Sequence, residues 1–454
     1  MKYFNIFFLV ILLSIKFCPA QSAKNTADSL IKANPQLFEP LKNDSNKIDS
    51  NKIDSIRSNK PIKIDSNTTI NFKVNTKLID SIKALRYSGI FESFVPIFEQ
   101  IKTKEELPFI SYDKADGFYI GIGSFDLLSM YKKDFGISVG FGYGFGSHYW
   151  QFKGGLSKSF GDFTKPTIVN IEGHILTDTK DAWKMSQTEN IFSAMVMGRD
   201  ARDYYNRNGF SIAVGKIFSK KLNMKIEYRN DMYSSLIRNV NWSIFGDKFP
   251  FSEVAEVYNG KLSSLIYRVG YDEVTNGENT WLNGIFGVEG EIELLLNDIN
   301  LNNTSDNIKY KIIVTDIVYK NELFKNVISF AMHGRFGIGF GDVPNQKTFT
   351  VGGIGSLNGF NQNEFSGTRL GLIQTDMFFS LWNVTNLILT NDFCFISNPG
   401  SSSSLFSGLP TSINDIKYSF GIGFGGREGI SMGYHFRGDI YSKPNFILRL
   451  AKRF

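Results

Sequence analysis

Residues 222–233 read LNMKIEYRNDMY, and their two faces decide the fold. Successive side chains of an extended chain point to opposite sides. Leu222, Met224, Ile226, Tyr228 and Met232 therefore share one face, and Asn223, Lys225, Glu227, Arg229 and Asp231 share the other. Five successive polar side chains need water, while the opposite face needs an apolar medium. A two-sheet core does not offer that pair of environments. The wall of a membrane β-barrel does, with lipid outside and a wet lumen inside.

The same split recurs along the chain. In 282–294, Leu282, Phe286, Val288, Ile292 and Leu294 oppose Asn283, Glu289, Glu291 and Glu293; in 328–340, Ile328, Phe330, Met332, Phe336, Ile338 and Phe340 oppose Ser329, His333 and Arg335. In 135–145 an aromatic and aliphatic face alternates with Gly136, Ser138, Gly140, Gly142 and Gly144. This suits a strongly curved wall and leaves room for an inserted loop to approach it. About fifteen such segments fall between Gly117 and Phe454, against the roughly 9–11 residues a tilted membrane strand needs. Single-chain bacterial barrels close with an even number of strands. The expectation is an all-β, closed antiparallel transmembrane barrel over 117–454 with sixteen strands, fourteen being the alternative. An open sheet is disfavoured, since lipid satisfies no unpaired edge. Polar stretches such as 178–207 and 398–404 read as long loops on one side, with tight turns on the other.

Upstream the composition changes. Lys2, an apolar run over 7–13 and Cys18-Pro19-Ala20 give 1–20 the form of a signal peptide, which implies export. A lipid anchor on Cys18 is the weaker reading, because Lys16 and Phe17 stand where small or aliphatic residues are wanted. Loss of the signal leaves Cys394 as the sole cysteine, with no internal disulfide and no thiolate metal cluster. Segment 21–76 is polar, with the tandem repeat SNKID-SNKID at 45–54, and reads as a disordered periplasmic linker. Its alternative role is to grip a periplasmic protein partner. Over 77–116, Leu78, Ile82, Leu85, Phe91, Phe94, Val95, Phe98 and Ile101 fall at helical spacings divided by Pro96, which predicts a short helix or plug at the barrel mouth. The chain has 454 residues, 42% of them hydrophobic and 15% aromatic, and a net charge of +6 spread over lumen-type positions; this argues against a nucleic-acid partner.

A second stretch carries a family likeness. Residues 351–379, VGGIGSLNGFNQNEFSGTRLGLIQTDMFF, place Gly352-Gly353, then Leu357-Asn358-Gly359-Phe360, ahead of a strand bearing Asp376. This order resembles the signature of the bacterial surface antigen barrels, the C-terminal pores of outer-membrane protein assembly and translocation machines. The resemblance implies a loop folded back into the lumen, with Gly352, Gly353, Leu357, Asn358, Gly359 and Phe360 as its motif. In the family an arginine before the Gly-aromatic pair reaches acidic side chains on the inner wall; here Asn358 stands in that place, and Asp376 and Asp392 are its expected partners. Phe446, Leu448, Leu450 and the final Phe454 resemble the terminal signal by which the assembly machinery recognises its clients, with Lys452 a departure. The polypeptide-transport-associated repeats that usually precede such barrels are not recognisable in this sequence.

The resemblance implies an outer-membrane location, contact with lipid, the barrel assembly machinery as a partner that treats the chain as client, and a monomeric barrel. The leading function is insertion or transport of protein or another envelope component, through a seam between first and last strands that opens laterally. A structural or passive-pore barrel that keeps the scaffold without assembly activity is the alternative. No catalytic, cofactor or metal set is expected. Gly355-Ser356-Leu357-Asn358-Gly359 has the wrong spacing for a nucleophile elbow, and His148, His174, His333 and His435 lack metal-ligand spacing.

Overall fold

The structure, a computed structural model, describes residues 110–126, 135–162, 165–219, 221–245, 251–275, 284–296, 308–324, 327–381, 385–400, 407–426, 430–439 and 443–450, all within the compact unit Asn75–Phe454. The expected signal peptide, the linker, the helical spacing over 78–101 and Phe454 lie outside the described residues, as does the side chain of Leu450.

Sixteen strands form one antiparallel meander in which each pairs with its neighbours along the chain. They are β1 (Ile110–Asp113), β2 (Gly117–Asp126), β3 (Phe135–Gly144), β4 (Tyr149–Phe160), β5 (Thr167–Thr179), β6 (Tyr204–Ile217), β7 (Leu222–Ser235), β8 (Gly260–Thr275), β9 (Gly284–Leu295), β10 (Tyr310–Phe324) and β11 (Ile328–Gly341). After a side hairpin of β12 (Phe349–Val351) and β13 (Phe365–Gly367) come β14 (Arg369–Leu381), β15 (Thr385–Ser397), β16 (Lys417–Gly425), β17 (Ile430–Arg437) and β18 (Asn445–Leu450). The count is the one expected, and no helix among the described residues is long and apolar enough to cross a membrane. Connections alternate: 161–166, 218–221 and 325–327 are short, while 180–203, 236–259, 342–368 and 398–416 are long and gather at the other end.

Burial is inverted relative to a water-soluble sheet. In β7 the apolar Met224, Ile226 and Met232 are exposed, Met232 by 51%, whereas Glu227, Arg229 and Asp231 are buried, Asp231 completely. Phe118, Ile120, Phe141, Phe152, Ile212, Phe393, Phe420 and Tyr434 continue the exposed apolar face around the sheet. Charge inside and hydrocarbon outside is the arrangement lipid demands.

Two findings depart from the expected boundaries. The sheet begins at Ile110, inside the 77–116 segment expected to be helical or a plug; four residues are too few to display an alternation, and the polar turn at 114–116 hides them. The 178–207 loop contains a helix, α1 (Gln187–Met197), capped by Ser186, whose hydroxyl accepts the Glu189 N–H, and ended by Gly198 at φ 64°. The Ser-x-x-Glu spacing and the trailing glycine were the legible signals for it.

Helix α1 also reveals the curvature. Gln187 donates to Ser111 Oγ of β1 (2.6 Å), and Glu189 receives Arg449 of β18 at 2.6 and 3.0 Å. The first and last strands thus return to one helix, and the sheet curls through a full turn into a barrel.

Candidate functional site

The β12–β13 hairpin carries residues 352–364 inward from the long-loop end. Gly352, Gly353 and Gly355 adopt φ of 120°, 77° and 86°, a region costly for any other residue. At Gly355 a Cβ would also strike the Lys184 carbonyl oxygen. The turn is held from within: the Gly352 N–H donates to Ser356 Oγ (2.9 Å), and the Gly353 N–H to the Leu357 carbonyl (3.0 Å). Leu357 and Phe360 are buried in a cluster with Trp183, Val351, Leu370, Leu372 and Cys394. Gly359 lies flat against the β17 backbone, where a Cβ would meet the Phe436 carbonyl. The close approach is therefore made by a loop glycine. The glycine face of β3 receives the Tyr119 ring and the Asp116 carboxylate, not the loop.

Asn358, fully buried, donates from its backbone N–H (3.1 Å) and from Nδ2 (2.9 Å) to Asp392 Oδ2 on β15. Ser419 Oγ of β16 donates to the same oxygen at 2.8 Å, and Gln374 Nε2 of β14 to Asp392 Oδ1 at 3.3 Å. These four donors are uncharged, and the loop supplies two of them. Asp376, the other expected partner, is not among the hydrogen-bond partners described for Asn358. It is fully buried on the same inner face, but Gln374 stands opposite Asp392, and Asp376 opposite Thr390, two residues and roughly 7 Å farther from the loop. Gln374 fills the intervening space and also donates to the Ser356 carbonyl (2.7 Å).

The loop's aromatic takes its cation from the wall. The Arg437 guanidinium of β17 lies 4.3 Å from the Phe360 ring centroid and pairs with Glu364 at 3.0 Å and with Asp439 at 3.0 Å. Asn445 of β18 donates to the Phe360 carbonyl at 3.0 Å. The root of the loop is tied to segment 180–203. Lys184 Nζ reaches Asp181 (2.8 Å), Thr350 (3.1 Å) and Asn363 (2.6 Å), while Asn363 donates to Asp203 (2.9 Å). Burial raises the Asp181 carboxyl, but Lys184 and Lys180 outweigh it and hold the group below the usual carboxylate range. Burial lowers Lys347, and its partner Glu293 at 2.9 Å more than restores it, leaving the ammonium above its ordinary value. Trp183 stacks on Arg335 of β11, 4.7 Å from ring centroid to guanidinium, so a second loop also reaches the inner wall at this end.

Elsewhere the inner wall is lined by paired charges. Asp231 receives His174 (3.0 Å) and Arg207 (3.1 Å); Glu227 receives Lys225 and Arg229 (both 2.7 Å); Asp316 receives His333 (3.1 Å) and Arg335 (2.6 Å). Among the described residues no group of three or more His, Cys, Asp or Glu is placed to hold a metal ion. Ser356 spends both its hydrogen bonds on its own loop backbone. Phe446 and Leu448 fall on the outward face of β18, and Asn445 and Arg449 on the inner face. Sequence reasoning missed Gln374, Ser419 and Arg437, although the two-residue period puts Gln374 on the face of Asp376. Lys184 and Glu189 sit in a segment without period-two alternation, and nothing local marks them as partners of the wall.

No family model matches this chain, and no curated protein does. Solved structures are similar to it. BamA from Haemophilus ducreyi lacking POTRA domains 1–3 aligns with 15% identity and a TM-score of 0.45, over 75% of this chain and 69% of that one. CdiB from Acinetobacter baumannii (10% identity, TM-score 0.39, 58% of its length) and CdiB from Escherichia coli (11%, 0.40, 60%) align over 75% of this chain as well. These are likenesses at low identity.

Proposed function

We propose that this chain is an outer-membrane β-barrel with an occluded lumen, acting in the insertion or transport of protein or another envelope component at its wall. The observation that carries the reading is the seating of the 352–364 loop on Asp392, with Trp183 and Lys184 of a second loop packed beside it. A barrel filled in this way is unsuited to passive diffusion, which needs a continuous aqueous path. The motif resemblance around Asn358 supports assembly or translocation as the task, and the apolar outer face supports direct contact with lipid. The proposal includes no catalytic step.

Depletion of the protein in its native cell, followed by quantification of outer-membrane proteins and envelope lipids, tests the task. Loss of a defined set of components is expected, and an unchanged envelope would overturn it. Planar-bilayer recording separates the two readings of the scaffold: a closed baseline with brief openings is expected here, and a stable open conductance favours the passive pore.

A further inference from the structure

The outer wall is uneven in charge at its short-turn end. On β4 and β6 the outward face, apolar and exposed at Phe152, Leu156, Ile212 and Val214, continues into Lys158 and Lys216. Lys158 stands opposite Val169, and Val169 opposite Val214, two residues before Lys216. Two strand spacings and one two-residue step put the two Cα atoms roughly 12 Å apart, so both extended side chains can reach one headgroup. Lys165 joins them, because Lys216 Nζ donates to its carbonyl oxygen (2.8 Å). The turns beside them read GDFTKP (161–166) and FSKK (218–221), with three lysines and one acid, Asp162.

These cations differ from those of the lumen. Among the described residues Lys158, Lys165 and Lys216 enter no ion pair, whereas the inward Lys153 and Lys225 are each paired with a glutamate. Lys158 Nζ lies over the Phe160 ring, 5.4 Å from its centroid, and Lys216 spends only one of its three N–H donors on the Lys165 carbonyl. Phe160 and Phe218 are exposed beside them. Across the barrel the same end is apolar: Phe379, Leu387 and Phe424 stand opposite one another along the outer face of β14, β15 and β16.

We propose that the short-turn end of the β4–β7 outer wall binds anionic phospholipid headgroups, with the Lys158 and Lys216 ammonium groups on the phosphate and Phe160 and Phe218 beside the acyl chains. Continuity and charge complementarity commit the occupant to lipid. Exposed Leu156, Val214 and Ile226 come next along the same face and require hydrocarbon, and unpaired cations at the edge of that hydrocarbon meet the headgroup layer. A zwitterionic headgroup brings its own cation, so a net negative one is preferred. Short turns face the periplasm in such barrels, which assigns the patch to the periplasmic leaflet. The proposal rests on the lipid-facing reading of the outer wall and adds which lipid is held and where.

A bimane label at Met224→Cys, opposite Lys216 in the ladder, reports the local lipid in the full chain with Cys18 and Cys394 replaced by serine. Heat-modifiable gel mobility establishes folding of each variant, and Val214→Cys is the second labelling site. Vesicles hold brominated phosphatidylglycerol in unbrominated phosphatidylcholine, or the reverse, and quenching gives the relative occupancy of the two. A several-fold preference for phosphatidylglycerol is expected, reduced by high salt and lost in Lys158→Gln combined with Lys216→Gln. A label at Phe424→Cys, across the barrel, should show no preference. Equal quenching by the two lipids beside Lys216 would overturn the proposal, as would a preference that survives the double substitution or recurs at position 424. Absence of quenching by either lipid at both positions would overturn the lipid-facing reading itself.

Discussion

The inner wall has two halves that solve the same electrostatic problem differently. From β5 to β11 the wall supplies most of its own counterions, as in the clusters on Asp231, Glu227 and Asp316, while Glu293 on β9 takes Lys347 from segment 342–368. From β14 to β18 inserted elements add partners to those of the wall: the 352–364 loop on Asp392, Glu364 on Arg437, and α1 on Arg449. A buried charge is costly unless paired or hydrogen-bonded. The first half therefore relies on an inserted element at Glu293 while pairing Asp231, Glu227 and Asp316 itself, and the second is completed by docking the loop and the helix. Docking of inserted elements and wall stability are thus coupled mainly on the β14–β18 side of the barrel.

The sharpest way to break this contrast is Glu189→Ala. Both partners are buried, and leaving Arg449 without its carboxylate is expected to cost about 3–5 kcal/mol. Urea unfolding in lipid vesicles measures it, and adding Arg449→Met should recover most of the loss. Asp392→Ala comes next, at about 1.5–3 kcal/mol, because the donors of Asn358, Ser419 and Gln374 lose a charged acceptor. Increased protease cleavage within 352–364 should accompany it. Asn358→Ala removes one side-chain donor while its backbone N–H remains on Asp392, so about 1 kcal/mol is expected in the same unfolding assay.

Arg268→Ala probes the other half. Glu227 keeps Lys225 and Arg229, and Arg268 is partly exposed, so a change within about 1 kcal/mol is expected. A loss equal to that of Glu189→Ala would erase the distinction between the halves. The smallest effect at ordinary pH belongs to Asp181. Its carboxyl titrates lower in the folded protein than the ordinary 3.8, so its contribution is complete above that pH and is lost as pH falls through the folded value. Protease nicking of 180–203 should rise only in that acidic range, and Asp181→Asn should flatten the dependence.

The strand faces were legible because in-or-out orientation is a local property with a period of two. That is why residues 222–233 predicted the burial of Glu227, Arg229 and Asp231, and why the run of such segments reached the observed sixteen strands. The loop was legible as a position in the chain, since Gly352, Gly353 and Gly359 mark a tight turn beside a wall. Which carboxylate it would meet was not legible: Asp376 and Asp392 share the inner face, and only the ladder register, with Gln374 opposite Asp392, sets the depth the loop reaches. The β1 strand was too short to show its period.

By itself, then, the sequence determined a sheet with a lipid face and a lumen face, its strand number and the loop that enters it. Alternation, glycine and turn chemistry act over a few residues, and a reader of the chain sees them directly. Only the tertiary structure decided that Arg437 stacks on Phe360, that Lys184 ties the loop root, and that Glu189 meets Arg449 260 residues away to tie α1 to β18. Those contacts arise because the sheet curls through a full turn, and no local periodicity encodes which inner-face residues will then face each other.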